Sequence, residues 1–298
     1  MLRRIFWVLA TILFMLPAVP LFAQQAGDYL DVTLVNVKPE KSAEFTAVSK
    51  KIADANRRNN GDRWVAFEAL YGKGDTVLFT SIRQQYADIE KANESFVSAA
   101  NKAYGKDTAD KLFAQWEATV QGYRSELRRR RWDLSSKAPT DGAAYTKLIG
   151  EARFLRTIVV HVRPGHAADF EDLLKDTKAA RDKSSIPYPL LISQAIEGYK
   201  NTTFYVSTLR SSLATFDNNP TIREVLGEEG YKKFLQVNAE SVESTESWLF
   251  RISPEISNPP DEVAAVAPDF WRPKHAAPAT STKSKSDAMK PAEEKPKP

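Results

Sequence analysis

Asn36-Val37-Lys38-Pro39, followed by Glu44-Phe45, returns 125 positions later as His161-Val162-Arg163-Pro164, followed by Asp169-Phe170. In both places a run of β-branched and aliphatic residues, Leu30 to Val37 or Leu155 to Val162, meets a proline. Such a run suits a strand, and proline suits the first turn of a helix, where its missing N–H is not needed. Working outward, Thr76 to Arg83 (TVLFTSIR) matches Thr203 to Arg210 (TFYVSTLR), and Ile89 matches Phe216. Gly105 then matches Gly227, and Asp133-Leu134-Ser135 matches Glu255-Ile256-Ser257. Matched segments in one order imply an internal duplication, with the small changes of displacement absorbed in loops and helix ends.

Each copy reads as the same series of elements. After the first strand, Phe45, Val48, Ile52 and Ala55 recur at spacings of three and four, so a helix with one apolar face follows. Trp64 to Tyr71 and Thr76 to Arg83 are extended runs around Gly72-Lys73-Gly74-Asp75, a hairpin. In the second copy Tyr188 to Ile196 and Thr203 to Leu209 flank Glu197-Gly198-Tyr199. A second helical region starts at Tyr86 and breaks near Gly105, with Leu112, Trp116 and Val120 one turn apart and Phe234, Asn238 and Val242 in the equivalent places. A last strand, Leu127 to Trp132 or Trp248 to Ile252, closes the unit. The order β-α-β-β-α-β is the ferredoxin-like arrangement, an α+β class. Its two helices cover one face of the sheet, and the bare face of one copy is expected to cover that of the other.

On the strand, the Val-x-Pro step and the helix ending in Phe, both recurring, the chain resembles the dimeric α/β-barrel proteins. These include the antibiotic-biosynthesis-type monooxygenases and the NIPSNAP-like proteins. The resemblance implies two ferredoxin-like units packed sheet to sheet as an α/β barrel, here both in one chain over roughly residues 28 to 257. It also implies a substrate pocket between sheet and helices, with monooxygenase or haem chemistry as the enzymatic possibility.

The ends set the compartment. Met-Leu-Arg-Arg, an uncharged apolar run from Ile5 to Phe22, and Ala23 before Gln24 read as a secretory signal cleaved after Ala23. An uncleaved anchor is the competing reading, against which Pro17 and Pro20 weigh, since proline disrupts a spanning helix. The protein is therefore expected to be exported, periplasmic or secreted, without stable membrane insertion. Residues 24–136 and 153–257 are the two repeats, 137–152 a linker, and 258–298 a Pro/Ala/Lys-rich disordered tail. Phe270-Trp271 interrupts that tail and is expected to dock on the folded body.

No cysteine occurs, which excludes disulfides, thiolate nucleophiles and cysteine-ligated metals. The formal charge is +4, and Arg3 and Arg4 leave with the signal, so the mature chain is close to balanced and nucleic acid is not an expected partner. Gly-x-Ser-x-Gly, phosphate-loop, His-Glu-x-x-His and dinucleotide motifs are all absent.

Candidate ligand-binding residues follow from places where a polar or aromatic side chain breaks an apolar pattern. His161 ends the first strand of the second copy where Asn36 stands in the first. It could serve as a base or as an axial ligand to haem, although a lone strand histidine is more often a hydrogen-bonded structural residue. Glu68 shares a strand side with Trp64, Ala66 and Leu70, with Gln194 at the corresponding place. An exposed edge-strand carboxylate is the favoured reading there. Tyr188, Tyr199, Tyr205, Trp64 and Trp116 could line an aromatic pocket or form plain core. Asn238, at the place of Trp116, puts a polar group on an apolar helix stripe. Arg128 to Arg131 read as a charged edge strand, with an anion site as the alternative; Leu249-Phe250-Arg251-Ile252 stands there in the second copy, so such a site would be confined to copy one.

No metal site and no resident cofactor are expected, with haem as the possibility that the resemblance raises. The expected function is binding of a small apolar or aromatic ligand without strong catalysis, by a monomer whose two halves form an internal pseudo-dimer. The alternatives are a cofactor-independent monooxygenase or haem enzyme, and an envelope scaffold whose tail contacts a partner.

Overall fold

The computed structural model describes residues 28–217 and 219–273; the segment expected to be a signal and the last stretch of the expected tail lie outside them. The first unit runs β1 (Tyr29–Val37), α1 (Ser42–Arg58), β2 (Val65–Tyr71), β3 (Thr76–Arg83), α2 (Ala87–Tyr104), α3 (Lys106–Ala118) and β4 (Val120–Arg130). After α4 (Gly142–Glu151), the second runs β5 (Phe154–Val162), α5 (Ala167–Lys183), β6 (Leu191–Glu197), β7 (Thr203–Arg210), α6 (Ile222–Ser241) and β8 (Val242–Ile252). Two short helices follow, α7 (Asp261–Val266) and α8 (Pro268–Trp271).

The strands close into one barrel in the order β1-β3-β2-β8-β5-β7-β6-β4. Every pairing is antiparallel. Two seams join the units: β2 on β8, with Phe67 opposite Ile252, and β4 on β6, with Arg128 opposite Ala195. Closure removes every sheet edge, so no strand exposes a row of unpaired backbone groups.

Side-chain alternation sorts each strand into an inner and an outer set. Val32 and Leu34 of β1, Phe67, Leu78, Val159, Tyr205, Leu209, Trp248 and Phe250 pack together inside the barrel. Val35 and Val37 face outward onto Phe45, Val48, Ile52 and Leu112 of the first unit's helices. Val160, Val162 and Phe204 do the same for Phe170, Leu173 and Leu174. The described residues therefore form three apolar cores, one in the lumen and one under each helical layer.

Several boundaries differ from the sequence reading. Both last strands begin earlier than expected, at Val120 and Val242, because the helices before them end at Ala118 and Ser241. The break at Gly105 is present, with φ 77°, and Gly227 repeats it inside α6 with φ 70°. The stretch assigned as a linker contains α4, whose first turn is capped by the Asp141 carboxylate accepting from the Ala144 N–H at 2.7 Å. Order continues beyond residue 257, where a tail was expected. Asn258 exchanges backbone hydrogen bonds with Trp64 at 2.9 and 3.0 Å. Trp271 is then buried, donating its indole N–H to the Gly150 carbonyl at 2.9 Å, while Arg153 lies over the Phe270 ring. α7 and α8 thus hold α4 across one end of the barrel.

Candidate functional site

Beneath that helical cap lies a cavity of about 430 Å³ in the lumen. Its walls are Leu30, Val32, Phe67, Leu78, Leu155, Leu209 and Trp248, and its cap side is formed by Tyr145 and Ile149 of α4 and Val263 of α7. Arg128 and Arg130 reach it from β4. The cavity exists because small side chains, Thr80, Thr157, Ser193 and Ser207, stand at inward positions where larger ones would fill an eight-stranded barrel.

Next to it sits the most heavily charged part of the interior. β4 turns Arg124, Glu126 and Arg128 inward, and Glu126 is fully buried. Its carboxylate accepts from Arg124 Nε at 2.7 Å, Arg128 Nε at 2.8 Å and the Tyr205 hydroxyl at 2.6 Å. Burial alone would push the Glu126 carboxyl up, but Arg128, the Tyr205 hydroxyl and Arg124 outweigh it and hold the carboxyl below its ordinary range. Burial pushes the Tyr205 hydroxyl well above its ordinary value, Glu126 adding to the rise against the pull of Arg128. Arg128 also lies across the Tyr205 ring, 3.4 Å from its centroid. Neither group is poised to exchange a proton near neutrality.

A second cavity, about 650 Å³, lies outside the sheet of the first unit, under α1, α2 and α3. Phe79, Phe96, Phe113 and Trp116 give it an aromatic wall, and Asp31, Asp62 and Arg83 a polar end. Arg83 donates to Asp31 at 3.1 Å and to both oxygens of Asp62 at 2.8 Å, so those acids are engaged.

The candidate residues are distributed rather than gathered. Trp116 lines the outer cavity and donates to Ser49 at 3.2 Å; Trp64 also lines it. Tyr205 belongs instead to the lumen cluster. Asn36 and His161 sit at matching places near the uncapped end of the barrel. Asn36 accepts from the Thr76 hydroxyl at 3.1 Å. His161 is buried, with Nδ1 3.0 Å from the Thr203 hydroxyl and Nε2 3.6 Å from Glu246, beside the Tyr199 ring. Glu68, half-buried on the outer face of β2, and Asn238, half-buried on α6, line neither cavity. Gln194 accepts from Arg131 at 2.9 Å outside the barrel.

The arginine run needs correcting. β4 is not an edge, since it pairs with both β1 and β6. Alternation sends Arg128 and Arg130 into the lumen, where both are buried, while Arg129 is exposed. Arg131 binds Glu171 and Asp133 on the outside.

Among the described residues, no histidine presents an imidazole for haem at either cavity. His161 lines neither and is engaged at Nδ1, and His166 is at the surface, 3.1 Å from Asp169. Among the described residues no group of three or more His, Cys, Asp and Glu could hold a metal ion.

No family model matches the chain, and no curated protein matches it. Among solved structures it is similar to a candidate monooxygenase from Lactobacillus acidophilus, at 10% identity over 78% of this chain and 97% of that one, with a TM-score of 0.48. It is similar to an anthrone oxidase-like protein, at 12% identity over 78% and 93%, with a TM-score of 0.49. A chlorite dismutase from Candidatus Nitrospira defluvii matches at 12% identity over 81% and 96%, with a TM-score of 0.45. Strand order and register, rather than these likenesses, define the architecture: two β-α-β-β-α-β units closing one antiparallel barrel. The chain is a dimeric α/β barrel folded from one polypeptide. In it the lumen lies between the two sheets, and the outer cavity lies between the first unit's sheet and its own helices.

Proposed function

We propose that this barrel is an exported, monomeric binding protein whose lumen takes one small, largely apolar ligand. The observation that carries the reading is the capped lumen cavity with its aliphatic and aromatic walls. A space of about 430 Å³ is within the range of small-molecule sites, and apolar walls reward a guest with the contacts that an empty interior forgoes. The titratable groups nearby argue against strong catalysis: burial keeps the Tyr205 hydroxyl protonated, and Arg128 above all holds the Glu126 carboxylate ionised against its burial. Export is supported by the signal-like residues 1–23, and monomeric behaviour by the internal pairing of two units. No helix among the described residues is long and apolar enough to cross a membrane.

N-phenyl-1-naphthylamine, an uncharged fluorescent probe, tests the reading. One equivalent should bind with enhanced emission, and Thr80→Phe, which fills the lumen, should weaken uptake at least tenfold. Saturable uptake unchanged by Thr80→Phe but lost with Ser49→Trp would move the site to the outer cavity, and no saturable uptake would sink the proposal.

The aromatic wall of the outer cavity favours a second reading, an oxygen-using enzyme acting there on an aromatic substrate. Its haem branch finds no described histidine at that cavity, and an unchanged Soret band on addition of hemin would remove it.

A further inference from the structure

Arg83 and Arg210 end the matched segments TVLFTSIR and TFYVSTLR, so they hold one place in the two units. Leu209 points into the lumen, and alternation turns Arg210 to the outer face of β7, as Arg83 is turned to that of β3. Both are buried. In the first unit two acids match the guanidinium. Asp31 accepts from Nε at 3.2 Å and Nη2 at 3.1 Å, and Asp62 accepts from Nη1 and Nη2, each at 2.8 Å. The second unit has neither acid at those places. Arg156 replaces Asp31, and Tyr188, three residues ahead of β6, replaces Asp62, three residues ahead of β2. Arg181 replaces Asn56, each two residues before the end of its helix. One cation between two acids has become three cations with no acid.

Arg210 is 4% exposed, and its Nη2 donates to Asn219 at 2.7 Å. Among the described residues its Nε and Nη1 have no acceptor. The buried Nε of Arg181 has none either, while its Nη2 donates to the Tyr188 carbonyl at 3.0 Å. The Tyr188 ring, 3.5 Å from the Arg210 guanidinium, favours the charge but takes none of its in-plane hydrogen bonds. Burial pulls the Arg210 guanidinium down to about 10; Tyr188 opposes that fall, and the charges of Arg181 and Arg156 add to it. The group is thus a cation at neutral pH, set among like charges. Asp182, which acts on Arg181, is itself held by Lys178 at 2.6 Å and by the Ser136 hydroxyl at 2.8 Å. Arg156 is exposed, on the solvent side of the set. Buried donors without acceptors are costly, and the first unit shows that the fold can satisfy this place with carboxylates.

We propose that Arg156, Arg181 and Arg210 form an anion site that takes a phosphate group, free or as a monoester, in the role that Asp31 and Asp62 fill for Arg83. A phosphate carries several acceptor oxygens on one dianion, enough for donors from more than one guanidinium, whereas a carboxylate offers two oxygens and a single charge. The site lies outside the barrel on the second unit and is independent of the lumen reading.

Thermal unfolding of the full chain at pH 8, where phosphate is a dianion, tests the site against chloride at equal ionic strength. Phosphate should raise Tm saturably by several degrees, and chloride should not. Arg156→Asp, a surface change that restores the acid of the first unit, should raise Tm in chloride and shift the phosphate response to at least tenfold higher concentration. Arg210→Met, which removes the buried cation, should lose the response with no fall of Tm in chloride. Glycerol 3-phosphate separates the sources: a response at the same concentration as phosphate assigns a monoester, and none restricts the site to the free anion. No rise with phosphate, an equal rise with chloride, or a wild-type response in either variant overturns the proposal.

Discussion

At the scale of single residues, Glu126 is the hub on which the lumen's charges depend. Its folded-state carboxyl is held below the unfolded value, so its contribution to stability is present above the unfolded value and lost as pH falls through the folded one. Glu126→Gln removes that contribution and leaves Arg124 and Arg128 without their shared anion. We expect a loss of about 3 kcal/mol at pH 7, within the range for breaking a buried ion pair. Urea unfolding should show this loss shrinking on acidification below pH 5, and a difference between wild type and variant that is flat with pH would contradict the assignment. The sequence carried a signal for this cluster: Arg124, Glu126, Arg128 and Arg130 alternate with the period of a strand. It was masked because Leu112, Trp116 and Val120 continue the helical period, which drew the strand start past Glu126. His161, the most conspicuous residue in the sequence, is by contrast a hydrogen-bonded interior group, and its distance from the cavities could not be read from spacing along one strand.

At the scale of elements, the cap behaves as an addition to the duplicated unit, made from the connection between the copies and the segment after the second. Its helices are short, and Pro and Ala dominate the surrounding sequence, so no amphipathic period announces α7 or α8. For α4 a signal was present in Asp141, an N-cap residue, although the expectation of a linker concealed it. What holds the cap is contact: a Cβ placed on Gly150 would collide with the Val266 side chain, so α4 and α7 approach as closely as a glycine allows. Trp271→Ala removes the buried indole and its bond to Gly150. We expect a loss of about 3 kcal/mol, as for other buried aromatic truncations. Hydrogen exchange should then show faster exchange in α4 and α7 with β1 and β5 unaffected. Uniform change across the barrel would mean that the cap is part of the main cooperative unit.

For the molecule as a whole, the repeat in the sequence was sufficient to anticipate a single barrel, because a half-covered sheet needs a partner and the chain carries its own. Which strands meet at the seams was not legible, since pairing of β2 with β8 and β4 with β6 joins residues far apart in the chain. A fragment of residues 28–136 exposes the lumen face of its sheet together with Arg128 and Arg130. Alone it should self-associate or aggregate, and with residues 137–273 it should recover one 1:1 species, as sedimentation velocity would resolve. A stable monomeric half would show that the seams are dispensable. The halves have also diverged on their outer faces. Arg83 is held by Asp31 and Asp62, while its counterpart Arg210 has Arg156 at the place of Asp31.

Covalent union of the halves carries a consequence for orientation. Two identical chains closing such a barrel place a rotation axis through the lumen, and whatever one wall offers the opposite wall must repeat. A lopsided guest would then have two equivalent ways to lie. In the fused chain the guanidinium groups stand on one wall and Phe250 and Ile252 on the other, so the interior has a head side and a tail side, and a guest has a single way round.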